Sequence, residues 1–123
     1  MRAPIVLLFE DDPIIAMDIR FLLEQEGVHV IEVNEANELE QQCAQKRPEG
    51  VILNFNYSRK KNGLMLYRAL KKRFSPRVLF ITGANPRELE SSPLFHPSFY
   101  VVYKPFSTGR LRHAVNEWLY SHA

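Results

Sequence analysis

Two rhythms alternate along the chain. Ile5–Phe9, Val51–Leu53 and Val78–Ile81 are short, unbroken apolar runs, as expected of strands buried on both faces of a sheet. Val28–Val33 and Tyr100–Tyr103 read as two further strands, the former an exposed edge because it carries His29 and Glu32. Between the runs, apolar residues return every three or four positions, the spacing of one helix face. Ile15, Ile19 and Leu22 mark a first helix, capped by Asp12, begun at Pro13 and stopped by Gly27. Leu39 and Cys43 mark a second helix over Glu35–Lys46, and Leu66, Leu70 and Phe74 a third over Leu64–Phe74. Leu111, Val115 and Leu119 mark a last helix capped by Ser107. Between strands four and five, Pro86, Pro93 and Pro97 leave room only for a short helix near Arg87–Glu90.

Five strands alternating with helices predict an α/β fold, a parallel doubly wound sheet with an irregular fourth helix. At 123 residues the chain is expected to form one domain over 1–123. A formal charge of +2 does not by itself call for nucleic acid. The single cysteine, Cys43, excludes an intrachain disulfide. His29, His96, His113 and His122 lie on separate elements without ligand spacing, which argues against zinc. No leader-like or membrane-spanning run is present, so a soluble, cytoplasmic protein is expected.

Polar residues gather at the strand ends. Glu10 and Asp11 follow strand one, Asn54 and Asn56 strand three, Thr82 and Gly83 strand four, and Lys104-Pro105 strand five. In doubly wound sheets the carboxyl ends of the strands are where ligand chemistry collects. Apolar periodicity alone requires none of these residues.

Four segments, VLLFEDDP (Val6–Pro13), VILNFN (Val51–Asn56), FITG (Phe80–Gly83) and YKPFS (Tyr103–Ser107), together resemble the receiver domains of two-component response regulators, the CheY-like family. The resemblance runs from Val6 to about Leu119. It implies a flavodoxin-like sheet of strand order 2-1-3-4-5 and a phosphorylation pocket. In it, Glu10 and Asp11 would hold Mg²⁺ with help from the backbone of Asn56. Thr82 and Lys104 would contact a phosphoryl group, the Lys104–Pro105 bond would be cis, and Asn54 falls on the phosphoacceptor aspartate. Asp12 reads more simply as the helix cap.

The departures from the pattern decide the functional expectation. Phosphotransfer to the acceptor needs an ionised carboxylate oxygen, and the neutral amide of Asn54 offers none. The same change removes a hard anionic oxygen from the metal site, so Mg²⁺ binding is expected to be weak or absent, with Lys104 balancing the acids. Gly63 comes nine positions after Asn54, one more than usual, and the intervening loop carries Arg59-Lys60-Lys61. That run reads as a solvated turn, or as a cation folded over Glu10 and Asp11. The family's switching aromatic, three residues before the lysine, is Val101 here. Tyr100 and Tyr103 are assigned to the opposite face of the strand, and with Trp118 serve as packing or interface residues.

A non-enzymatic pseudo-receiver follows, a stand-alone signalling module that acts by protein contact. Its expected partner is a histidine kinase, a downstream regulator or a second copy, met through the face of helix four, strand five and helix five. The alternative is a conventional phosphoacceptor that carries an introduced asparagine or was cut from a longer regulator. Nucleic-acid binding through Arg59-Lys60-Lys61 and Lys71-Lys72-Arg73 ranks below both, because the second run suits the negative end of its helix dipole.

Overall fold

The computed structural model describes residues 3–54, 63–83, 85–93 and 95–120. Its elements run β1 (Ile5–Phe9), α1 (Pro13–Gln25), β2 (His29–Glu32), α2 (Ala36–Lys46), β3 (Gly50–Asn54), α3 (Gly63–Arg73), β4 (Arg77–Thr82), α4 (Pro86–Glu90), β5 (Tyr100–Tyr103) and α5 (Thr108–Tyr120). All strand pairs are parallel, in the order β2-β1-β3-β4-β5. Both the fold and the strand order are those expected.

Strand alternation splits the core into two layers. Val6, Leu8, Ile52, Leu79, Ile81 and Val102 face α1 and α5. Leu7, Phe9, Val51, Leu53, Val78 and Phe80 face α2, α3 and α4. The caps at Asp12 and Ser107 are those expected from the sequence, and Asn85 adds one at the start of α4. Asp12 Oδ1 accepts from the N–H groups of Ile14 and Ile15, Asn85 Oδ1 from Arg87 N–H, and Ser107 Oγ from Arg110 N–H. Gly27, at φ 83°, makes the left-handed turn after α1.

With only five residues in α4, the sheet beneath it is filled by aromatics. Phe99, just before β5, meets Tyr67 of α3 with ring centroids 4.9 Å apart, Phe80 at 5.5 Å and Phe95 at 5.7 Å. At the other face Trp118, 1% exposed, lies directly over Gly50. Trp118 is therefore a core residue, which removes it from the interface candidates. Arg77 Nη1 donates to the carbonyls of Trp118 (3.2 Å) and Leu119 (2.8 Å), tying the end of α5 to the start of β4. Among the described residues no helix is long and apolar enough to cross a membrane.

Candidate functional site

Among the described residues, Asn54, 5% exposed, and Thr82, fully buried, are the polar residues buried backbone and side chain together. Each ends a central strand at the carboxyl edge of the sheet, where β3 pairs with β4 and Asn54 stands in register with Ile81. Glu10 follows the adjacent β1. Lys104 follows β5, and its N–H donates to the Thr82 carbonyl at 2.7 Å. Its peptide bond to Pro105 is cis.

The side chains meet as one network. Asn54 Nδ2 donates to Glu10 Oε2 at 3.0 Å and to Asp11 Oδ1 at 2.5 Å. Glu10 Oε2 also accepts from Asp12 N–H at 3.0 Å, and Glu10 Oε1 pairs with Lys104 Nζ at 2.9 Å. An asparagine placed between two carboxylates must turn its nitrogen toward them, since only the NH₂ end donates. The Glu10 side chain is fully buried and that of Lys104 is 20% exposed. Burial pushes the Glu10 carboxyl above its ordinary range, and Asp11 adds to the shift. The Asp12 N–H and the Lys104 ammonium pull the other way.

The acids of this cluster are already engaged by nitrogen donors. Mg²⁺ asks for oxygen ligands in octahedral geometry, whereas the Glu10 and Asp11 oxygens are turned to an amide nitrogen and, for Glu10, an ammonium. Among the described residues no three His, Cys, Asp or Glu side chains converge as a metal set. Asn56 and the basic run Arg59-Lys60-Lys61, named from sequence as a third ligand and as a stand-in cation, lie outside the described residues.

Glu10, Asp11, Asn54 and Lys104 thus come together as the sequence suggests, with Thr82 beside them. One assignment is corrected. Tyr103 does not lie opposite Val101: residues two apart on a strand share a face, and both pack into the layer under α3 and α4. Tyr103 is in register with Thr82, and burial with nearby Glu90 of α4 raises its phenol pKa. A tyrosine therefore stands between the pocket and α4, while Val101 holds the position expected of an aromatic.

Three surface features were not read from the sequence. Ile14, Met17 and Phe21 are 67%, 63% and 64% exposed, a second apolar stripe on α1 whose i, i+3, i+7 spacing was legible beside that of Ile15, Ile19 and Leu22. Asp18, Phe21 and Phe106 line a cleft between α1 and the start of α5. On the far side of α5, Arg110, His113, Ala114 and Glu117 wall a groove of about 420 Å³ along β5.

The response regulator receiver domain model matches residues 6–116. The chain is 30% identical over 119 residues to the phyllosphere-induced regulator PhyR of Methylorubrum extorquens, covering 94% of this chain and 43% of that protein. It is also 30% identical over 83 residues to the aerobic respiration control protein ArcA of Escherichia coli K12, covering 68% of this chain and 34% of ArcA. It therefore spans less than half the length of either relative. Among solved structures, the receiver domain of PhyR from Erythrobacter litoralis superposes with a TM-score of 0.82 at 24% identity, covering 96% of this chain and 91% of that one. PhyR of Bartonella quintana, described as an anti-anti-sigma factor, gives 0.81 at 25% identity, covering 97% and 49%. With the sheet order, the polar pocket and the family match in agreement, the chain belongs to the response regulator receiver domain family.

Proposed function

We propose that this receiver domain serves two-component or phosphorelay signalling as a pseudo-receiver, acting by protein contact without being phosphorylated. The observation that carries this reading is the Asn54 amide, which donates to both Glu10 and Asp11. In place of an anionic nucleophile the pocket holds a neutral donor. Its two hydrogen bonds and the Lys104 ion pair engage the acids that a metal would otherwise hold. Mg²⁺ is accordingly no cofactor of the domain at physiological concentration, and the domain is no enzyme.

Output then rests on surfaces. The face of α4, β5 and α5 carries the groove along β5, and the exposed stripe of α1 offers a second apolar contact for a kinase or a downstream regulator. The Bartonella quintana relative is described as an anti-anti-sigma factor. Nucleic acid is no partner, and the setting is cytoplasmic. Incubation with acetyl phosphate and Mg²⁺, followed by intact-mass measurement, tests the reading. The wild-type chain is expected to keep its mass, and a base-labile gain of one phosphate on it would sink the proposal. Asn54→Asp is the positive control.

A further inference from the structure

One surface of α3 is charged without being paired. Arg68, Lys71 and Lys72 are exposed, and with half-buried Tyr67 they wall a groove of about 430 Å³. Elsewhere cations meet acids: Arg20 pairs with Glu24 and Glu32, Arg73 with Glu40, and Arg112 with Glu26. Among the described residues Arg68, Lys71 and Lys72 make no ion pair. Nor does α3, with the sequence GLMLYRALKKR, contain an acid of its own.

Folding alone does not ask for this arrangement. Residues three and four apart on a helix are neighbours, and like charges there destabilise it. Arg68 meets Lys71 at i, i+3 and Lys72 at i, i+4, so α3 holds like charges at both spacings. The negative end of the helix dipole accounts for cations in the last turn, Lys71, Lys72 and Arg73. Arg68 lies a turn earlier, where that effect has faded. The groove also has a rigid apolar wall. The Tyr67 ring packs edge-on against Phe80, with centroids 5.8 Å apart, and against Phe99 at 4.9 Å, and the methylene stems of the three cations extend that wall.

The extent of the positive charge selects the occupant. On the same side of the sheet, α2 carries Glu38 and Glu40, the latter already binding Arg73, and α4 carries Glu88 and Glu90. The cationic surface is thus one helix wide. A nucleic-acid duplex laid across it would bring its phosphates against these carboxylates. A single helix with acids three or four residues apart repeats the spacing of Arg68, Lys71 and Lys72, and an apolar residue between those acids meets Tyr67. The geometry points to a docking site for an acidic helical segment of a partner protein, held by Arg68, Lys71 and Lys72 with its apolar side on Tyr67. The site shares no residue with the groove along β5 or the α1 stripe, and it stands whether or not the domain is phosphorylated.

Titration of the whole chain with a synthetic alanine-based helical peptide, followed by heteronuclear NMR, tests it. The peptide carries glutamates four residues apart with leucines between them. Saturable shifts centred on Tyr67, Arg68, Lys71 and Lys72 are expected, with an affinity that falls roughly tenfold between ~50 mM and ~300 mM salt. The same peptide with lysine for each glutamate should not bind. Arg68→Glu puts an acid four residues before Lys72, the favourable order on a helix. It should therefore raise the melting temperature by about 2–3 °C while weakening the acidic peptide roughly tenfold. A merely solvated face would show the first effect without any peptide to lose. No saturable shift at millimolar peptide overturns the inference, as do shifts centred on another face or binding that survives Arg68→Glu. A single-stranded oligonucleotide that occupies this face more tightly than the peptide overturns it too. None of these outcomes touches the absence of phosphorylation, which intact mass measures separately.

Discussion

The Asn54 side chain spans Glu10 and Asp11, with Nδ2 3.0 Å from one carboxylate and 2.5 Å from the other. Two acids that would repel each other are thus joined by a single neutral donor. The same amide offers no anionic oxygen that could serve as a nucleophile.

Asn54→Asp reverses each part of that bargain. It deletes both hydrogen bonds and puts a third negative charge beside Glu10 and Asp11. A unit charge at ~4 Å is worth roughly 4 kcal/mol at an effective dielectric of ~20, and solvent relaxation should leave about 2 kcal/mol. In metal-free buffer the variant is expected to melt several degrees below wild type. Millimolar Mg²⁺ should recover most of the loss while moving the wild-type Tm by less than ~1 °C. Calorimetry in EDTA and in Mg²⁺ checks this, and an equal Mg²⁺ response in both proteins would contradict it.

Lys104 is the counter-charge of a fully buried carboxylate. Truncating one partner of a buried pair leaves the other charge uncompensated, at a cost of about 3–5 kcal/mol. Because Lys104 is 20% exposed, Lys104→Met should cost about 2 kcal/mol by urea denaturation. Glu10→Gln in the same chain should return a good part of that, since the stranded charge is gone. A double-mutant cycle with no coupling between the two positions would show that the ion pair contributes nothing.

The parallel sheet and the polar residues at its strand ends were legible because buried strands and strand-end polar groups leave local patterns, whereas the strand order came from the family resemblance. Glu10, Asp11, Asn54, Thr82 and Lys104 each follow or end an apolar run, so placement follows once the strands are found. What escaped depends on contacts across the fold. The bond pattern that turns Asn54 toward two acids needs three strand ends in space. Tyr103 was put on the wrong face by miscounting an alternation that the sequence itself fixes. Trp118 stayed open between packing and interface because its partner is a glycine about seventy positions earlier, and a missing side chain leaves no signal in the sequence.

That last pairing yields its own test. A Cβ added at Gly50 would stand 2.4 Å from Trp118 Cζ2 and 2.7 Å from Cη2. Neither the strand backbone at the sheet centre nor a fully buried indole can easily give way. Gly50→Ala should therefore cost about 3 kcal/mol, at the upper end for overpacking. Trp118→Leu, destabilising alone through the volume it removes, should cost less in the Gly50→Ala background than in wild type. Additive costs in chemical denaturation would mean that the two sites do not touch.

Cys43 lies 2% exposed on α2, and burial, with a smaller contribution from Glu40, pushes its thiol up to about 11. At pH 8 it should be protonated and shielded, so a thiol-specific aromatic disulfide should react only when the chain is unfolded. The pKa is raised in the folded state, so the unfolded chain loses this proton first as pH rises. The stability linked to Cys43 is fully present below pH 9, its ordinary value, and is lost as pH rises through about 11. Cys43→Ala has no such proton. The stability gap between wild type and this variant, from urea midpoints, should hold steady from pH 7 to 8.5 and narrow above pH 9. A gap that stays flat to pH 11 would mean that Cys43 ionises as readily in the folded chain as in the unfolded one.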